Sequence, residues 1–180
     1  MFGIPSTEDC LKMMDEYGMP DNIKAHSFKV RDISILLAGE LNDKGEIMDL
    51  NLVEASALLH DIAKIQCISS DKRHDLVGAD ILRRRGYDRI AEVVEQHINL
   101  VGKEDRITEE DIIFYADKRV MHDKIVSLSE RFEDVNERYA SDNADLLKKI
   151  DFTRKKSYEL ERRIFKNLDF SPEDLVSLIK

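Results

Sequence analysis

The sequence predicts an all-α fold, and three observations carry that prediction. Only seven glycines and three prolines interrupt 180 residues, which leaves little for the tight turns of β-hairpins. Apolar residues recur three and four positions apart along most of the chain, the period of a helix face. Ser, Thr and Asp stand before these runs and Gly after several of them, as helix caps do. With 42% hydrophobic and 36% charged residues, the chain has the balance of a globular domain with a substantial core.

Ser6 and Thr7 precede an acidic pair and the apolar-periodic run Leu11, Met13, Met14 and Tyr17, which Gly18 closes as a short capped helix. Pro20 and Asp21 start a long helix whose stripe Ile23, His26, Val30, Ile33 and Leu37 holds one histidine among core positions; Asn42 to Gly45 read as its closing turn. Asp49 to Asn51 open the next helix. From Leu52 through Ile65 apolar residues fall on nearly every side, so this helix is expected to be largely buried, with His60 and Asp61 inside its apolar run. A loop holding Ser69, Ser70 and Asp71 follows. Around His74 another helix begins, with Gly78-Ala79 admitting a close backbone approach and Arg83 to Arg85 at its end before Gly86.

Asp88 is expected to cap a helix with the stripe Ile90, Val93, Val94 and His97. After a loop over 99–106, Thr108 and Asp111 give a loose capping-box start to a helix in which Asp117 interrupts the apolar run Ile112 to Ala116. Beyond Asp123 the chain is charge-rich, with residues from Leu128, Phe132 and Tyr139 to Leu147, Leu160 and Ile164 on helix faces. No Pro- or Gly-rich linker sets this part off. Residues 1–180 are therefore read as a single domain, with a core over about 20–125 and C-terminal helices over about 126–180.

Twenty-eight basic against 37 acidic residues give a formal net charge of −9, which argues against nucleic-acid and anionic-membrane partners but allows a local basic pocket. No apolar stretch reaches the length of a membrane span, and the start MFGIPSTEDC lacks the charged and apolar segments of a signal peptide, so a cytoplasmic protein is expected. Cys10 and Cys67 are too few and too isolated for a disulfide framework or a thiolate metal site.

An aspartate in an apolar run must take up a proton or find a cation, and the imidazole beside Asp61 makes a metal ion the simplest reading. Adjacent helical residues point roughly 100° apart. His60 and Asp61 can therefore share an ion only near a helix end or where other elements close round them, and further ligands are expected. A lone histidine on an apolar face is more often a hydrogen-bonded core residue than a ligand. Here His26, the pair His60-Asp61, His74, His97 and Asp117 recur in order, on the core-facing parts of different expected helices, and that coincidence favours a shared metal site. His122, in a more polar setting, reads as an ordinary residue. Lys64, one turn after His60, either reaches a phosphate held at the metals or snorkels to solvent. Arg83 to Arg85 read as a solvated helix end, with contact to an anionic substrate as the sharper alternative; Lys72 and Arg73 are weaker phosphate candidates.

The motifs ALLHDIAK around the pair, HDLVGADIL from His74, VVEQH ending at His97 and YADK around Asp117 together resemble those of the HD-domain metal-dependent phosphohydrolases, over about residues 20–125. The resemblance implies an HD-domain-like helical bundle with additional C-terminal helices, in which His26, His60, Asp61 and Asp117 bind one metal. In members with two extra histidines, the equivalents of His74 and His97 bind a second metal and Asp61 bridges the two. The pattern is especially similar to that of the HD-type hydrolases that split diadenosine tetraphosphate symmetrically. The HHExxDGxGYP signature of the cyclic di-GMP phosphodiesterase branch is absent, and Ile98 rather than a second histidine follows His97, which leaves the second metal fewer ligands.

Imidazole and carboxylate without thiolate suit one or two divalent transition metals from among Fe, Mn, Co, Ni and Zn. Two such ions a few ångströms apart lower the pKa of a bridging water and present hydroxide to phosphorus while neutralising phosphate oxygens. Lys64, pointing inward, stabilises the developing charge. The sequence thus points to a metal-dependent phosphohydrolase acting on a small phosphorylated substrate, a nucleotide or other phosphate ester or anhydride, with Asp61 and Lys64 as catalytic residues. Two alternatives stand beside it: a single-metal nucleotide phosphomonoesterase using His26, His60, Asp61 and Asp117, and a catalytically silent HD module that binds a nucleotide or a partner protein.

Overall fold

The computed structural model describes residues 3–102, 106–139 and 144–179; part of the loop expected over 99–106 lies outside these residues, as does the side chain of Tyr139. Helix α1 (Thr7–Glu16) is held at its start by a capping box between Ser6 and Asp9, and Gly18 turns the chain at φ 66°. Helix α2 (Asp21–Asp43) buries the predicted stripe, His26 included, and packs against α3 (Leu50–Leu59). The carboxylate of Asp49 opens α3 by accepting from the backbone N–H groups of Asn51 and Leu52.

The continuous helix expected over 52–65 stops at Leu59. Residues 60–63 form a turn, α4 (Lys64–Cys67) is a single helical turn, and Ile65 is 41% exposed rather than buried. On a continuing helix His60 and Asp61 would diverge by about 100°; the turn instead aims both at one interior site.

Helices α5 (His74–Arg84) and α6 (Asp88–Val94) pack on each other, and α6 on α3. A Cβ at Gly78 would lie 3.3 Å from Ile62 Cγ2 and 3.5 Å from Val94 Cγ1. The glycine therefore lets α5 sit directly on the turn that carries Asp61, against side chains rather than the backbone the sequence suggests. Asp88 does not cap α6: it is the first helical residue, and Tyr87 holds the cap position without a side-chain bond. α6 also ends three residues short of His97. Helix α7 (Glu109–Lys118) starts with the predicted Thr108–Asp111 capping box and buries all its residues from Asp111 onward.

Strands β1 (Val120–Met121) and β2 (Lys124–Ile125) pair antiparallel through the two-residue turn His122-Asp123, a hairpin that the low glycine count does not predict. His122 takes the left-handed position, at φ 59°, where such turns ordinarily place Gly or Asn. Helices α8 (Leu128–Tyr139), α9 (Ala144–Phe165) and α10 (Leu175–Leu178) complete the chain. Leu128, Phe132, Leu160, Ile164 and Leu175 join the same hydrophobic core as α2, α3 and α7, whereas Leu147 is 40% exposed. Cys10 and Cys67 are buried and free, and burial pushes the Cys10 thiol up to about 12. Among the described residues no helix is long and apolar enough to cross a membrane.

Candidate metal centre

The fold brings together all six residues that the sequence marks as metal ligands. His26 comes from the first half of α2 and Asp117 from the last turn of α7. The other four sit at helix ends: His60 caps the C-terminus of α3, Asp61 follows it in the turn, His74 begins α5 and His97 lies in the bend beyond α6. Their donor atoms form two groups, His26-His60-Asp117 and Asp61-His74-His97, each with its nitrogen and oxygen atoms within 4.8 Å of one another.

Asp61 lies between the groups. Its Oδ2 is 3.5 Å from His60 Nε2 and 4.0 Å from His26 Nε2, and its Oδ1 is 3.2 Å from His74 Nε2 and 3.7 Å from His97 Nε2. Asp117 Oδ1 is 3.0 Å from His26 Nε2 and 3.6 Å from His60 Nε2. His60, Asp61 and His97 are at most 1% exposed, so water does not satisfy them from outside.

Backbone carbonyls set the orientation of three of the rings. The Nδ1–H of His60 donates to Ala57 O at 2.7 Å and that of His97 to Val94 O at 2.6 Å, each three residues back, on carbonyls at a helix end. The Nδ1–H of His26 donates to His122 O at 3.0 Å. Whenever such a ring is neutral it presents the Nε2 lone pair inward, because the carbonyl at Nδ1 fixes the tautomer that a metal needs. His60 Nε2 has no hydrogen-bond partner among the described residues although it is fully buried, and His74 Nε2 and His97 Nε2 face each other at 3.2 Å. Buried lone pairs and carboxylate oxygens converging without enough protons to pair them fit a divalent transition metal of the nitrogen- and oxygen-binding kind.

The charges agree. Burial alone would raise the pKa of Asp61, but the imidazole of His60, the ring of His74 and the ammonium of Lys64 hold it well below the usual carboxylate range. Asp117 is likewise depressed against the cost of its burial, chiefly by Lys118 and then by His26 and His60. Burial would lower the pKa of His60; the carboxylates of Asp61 and Asp117 reverse this and push it up to about 10. Burial, followed by the neighbouring charge of His60, pushes His97 down to about 3. Without an added cation, the two carboxylates draw positive charge from the chain itself.

Lys64 is part of that supply. Its Nζ lies 2.7 Å from Asp61 Oδ2 while its side chain stays 40% exposed, so it sits at the mouth of the centre rather than simply snorkelling away. Burial would lower its pKa, and the charges of Asp61 and Asp117 raise it overall. The sequence alone does not single out Lys118. Its buried ammonium donates to Asp117 Oδ2 at 2.8 Å and to His97 O at 2.6 Å, with the Phe114 ring 4.5 Å away, and so ties one ligand group to the other. The available signal is a lysine next to the carboxylate of YADK, at the end of a buried run. The role of His122 has no such signal, because its carbonyl does the work.

Among the described residues two further carboxylates are buried, where the sequence points only to Asp61 and Asp117. Asp75 pairs with Arg73, and Asp111 accepts from the Thr108 backbone through Oδ2 in its capping box, while its buried Oδ1 has no hydrogen-bond partner among the described residues. Arg83, Arg84 and Arg85 resolve as surface ion pairs with Glu95, Asp80 and Glu16, which favours the solvated helix end over a substrate contact.

The HD domain family matches residues 23–121, a span that contains all six residues, and the chain belongs to that family. Over 162 residues the chain is 32% identical to a tRNA (cytidine(56)-2'-O)-methyltransferase of Thermoplasma volcanium, covering 82% of this chain and 46% of that protein. It is 30% identical over 125 residues to an uncharacterized protein of Methanocaldococcus jannaschii, covering 61% of this chain and 73% of the relative. It is 33% identical over 106 residues to ribonuclease Y of Thermosipho melanesiensis, covering 59% of this chain and 19% of the relative. The chain thus spans less than half of the methyltransferase and a fifth of the ribonuclease. No solved structure matches it. Two of these relatives, the methyltransferase and the ribonuclease, bear RNA-directed names rather than that of a diadenosine tetraphosphate hydrolase, and they leave the expectation of no nucleic-acid partner without support.

Proposed function

We propose that the protein hydrolyses a phosphate ester or anhydride of a nucleotide, with one or two divalent transition metals held by His26, His60, Asp61, His74, His97 and Asp117, in one domain made of the HD core and the C-terminal helices. Asp61 carries this reading: its two oxygens face two separate histidine groups, as a carboxylate shared by two cations requires. The core shared by α2, α7 and α9 supports the single domain.

A divalent metal bound there supplies Lewis acidity, acidifying a water and neutralising phosphate oxygens. The chain does the rest. Carbonyls of Ala57, Val94 and His122 fix the imidazoles, and Lys118 holds Asp117 Oδ2 so that Oδ1 faces inward. A cavity of about 290 Å³ opens on His26 and Asp61, with Lys64 in its wall. Lys64, beside Asp61 in the cavity wall, would be placed to meet the charge that develops on the phosphate when these residues hold a metal. Ile23, Ile68 and Val120 line the same cavity.

RNA as the substrate is a second reading, favoured by the ribonuclease Y and tRNA methyltransferase relatives. The net charge of −9 belongs to the whole chain, whereas α9 carries seven basic against four acidic residues. The methyltransferase name itself belongs to a protein of which this chain spans 46%, and a histidine-carboxylate centre suits phosphate chemistry rather than methyl transfer.

Elemental analysis of the purified protein, followed by turnover of a panel, tests the proposal. The panel holds nucleoside mono-, di- and triphosphates, diadenosine tetraphosphate for the finer expectation, and short RNA oligonucleotides. At least one equivalent of transition metal and hydrolysis of one substrate class are expected. Metal-free protein whose melting temperature does not respond to Mn or Fe would overturn the metal centre, and metal-loaded protein without turnover would turn the reading toward a silent binding module.

A further inference from the structure

The cavity over the centre is lined by His26, Asp61 and Lys64 and, from the chain beyond them, by His122, Arg131 and Arg138. Both arginines come from α8, beyond the residues that the HD family matches. They share one carboxylate: Arg138 Nη2 is 2.7 Å from Asp134 Oδ1, and Arg131 Nη1 is 3.5 Å from Asp134 Oδ2. Two guanidinium charges therefore answer to one carboxylate charge. Arg131 Nε is buried and has no hydrogen-bond partner among the described residues, a donor left unmet where burial normally forbids it.

His122 lines the same cavity. Its φ of 59° is a conformation that L-residues seldom adopt, and it is kept at a turn where glycine would be unstrained. The result is a residue whose carbonyl orients His26 while its Nε2 stands 3.3 Å from Arg138 Nη2. Helix stabilisation accounts for the i,i+4 pair Asp134–Arg138. It does not account for Arg131 Nε, or for the gathering of two arginines and a histidine in the cavity that opens on the centre.

From this geometry we infer that Arg131, Arg138 and His122 form a second anion subsite, which receives a phosphate next to the one hydrolysed at the metal centre. The inference rests on the proposed hydrolase reading. The planar guanidinium fork matches phosphate oxygens in pairs, whereas Lys64 offers a point charge to the reacting group. The adjacent phosphate has two chemical sources: an anhydride-linked phosphate of a nucleotide, or a phosphate across the ribose, as in an RNA chain.

Steady-state kinetics of the Mn-loaded protein on adenosine 5′-monophosphate, ADP and adenosine 3′,5′-bisphosphate distinguish these sources. Wild type should prefer one doubly phosphorylated substrate by at least about tenfold in kcat/KM, expressed mainly in KM. Preference for ADP identifies the anhydride source, and preference for the 3′,5′-bisphosphate the RNA-like one. Arg138→Gln and Arg131→Gln should each bring the ratio toward unity. The control Arg84→Gln, which removes a surface pair with Asp80, should keep the wild-type ratio. Turnover of the monophosphate with no preference, or a preference unchanged in both variants, overturns the subsite and leaves the hydrolase reading standing. If nothing is hydrolysed the hydrolase reading fails, and calorimetry decides the subsite. Tighter binding of a doubly phosphorylated probe than of the monophosphate, lost in Arg138→Gln, upholds the subsite, and equal binding overturns it.

Discussion

Asp117 and Arg119 stand two residues apart at the end of α7 and enter buried polar clusters of opposite character. The Arg119 cluster is closed. Nε donates to Val126 O at 2.6 Å, Nη1 to Tyr115 Oη at 2.5 Å and to Glu161 Oε2 at 3.2 Å, and Nη2 to Pro172 O at 2.9 Å, while the Tyr115 hydroxyl donates to Glu161 at 2.6 Å. The Asp117 cluster is open: four Nε2 atoms and three carboxylate oxygens point at one another, and His60 Nε2 meets no partner. A network that satisfies itself fastens α7 to the hairpin, α9 and the segment before α10; one that leaves its lone pairs converging is arranged for something else to bind.

Asp61→Asn should break this comparison most strongly. The variant keeps shape but loses the charge that faces both histidine groups, so turnover should fall at least about 10⁴-fold, roughly 5 kcal/mol or more of barrier. Metal content should fall at both groups. Melting temperature should drop in the metal-free state too, because Lys64 and His74 lose their carboxylate partner, and should rise little on adding Mn. Near-wild-type turnover with an intact metal response would show that Asp61 is no ligand.

Arg119→Met tests the closed cluster. It takes the guanidinium from Glu161 and strands the carbonyls of Val126 and Pro172, so urea unfolding should show a loss of about 3 kcal/mol, toward the low end for a broken buried pair because Tyr115 still donates to Glu161. Metal bound per folded molecule should stay at the wild-type value. If metal content falls in step with stability, the two clusters are one cooperative unit and the distinction between them fails.

The two clusters are unequally legible in the sequence. The open one stands out because histidine and aspartate are out of place in apolar helical runs, so His26, His60, Asp61, His74, His97 and Asp117 can be gathered from the order of residues alone. The closed one cannot be, because Arg119, Tyr115 and Glu161 look like ordinary members of a charged helical sequence until α9 folds back on α7. Periodicity also runs the helix through His60 to Ile65 where the chain turns at Leu59, since a buried turn and a buried helix share the same apolar composition. The hairpin at His122 escapes because its left-handed residue is not a glycine.

Lys118 sharpens the comparison, for it is a closed element inside the open cluster. Lys118→Met leaves Asp117 Oδ2 without its buried donor, and the metal-free protein should lose about 2 kcal/mol in urea unfolding. Metal should then raise the melting temperature of the variant more than that of wild type, because the ion replaces the missing charge as well as binding. A smaller rise than in wild type would mean that Lys118 serves chiefly to position Asp117.

The smallest effect separates a metal from the proton it displaces. His60 is held protonated in the metal-free protein, its pKa pushed up to about 10 by the carboxylates of Asp61 and Asp117 against the opposing effect of burial. A metal needs the neutral ring at Nε2. Below about pH 10 binding at the His26-His60-Asp117 group must therefore expel one proton, and apparent affinity should strengthen as pH rises, by about tenfold or roughly 1.4 kcal/mol per pH unit. His97 adds nothing to this slope near neutral pH, because burial and the charge of His60 push it down to about 3 and its ring is already neutral. Calorimetric titration with Mn at pH 7, repeated in buffers of different ionisation enthalpy, reads the released protons directly. One proton per ion at the first group is expected, and none in His60→Gln. A wild-type titration that releases no proton would mean that His60 is either neutral beforehand or not a ligand, and the open cluster would then have to bind its cation without the residue that most visibly lacks a partner.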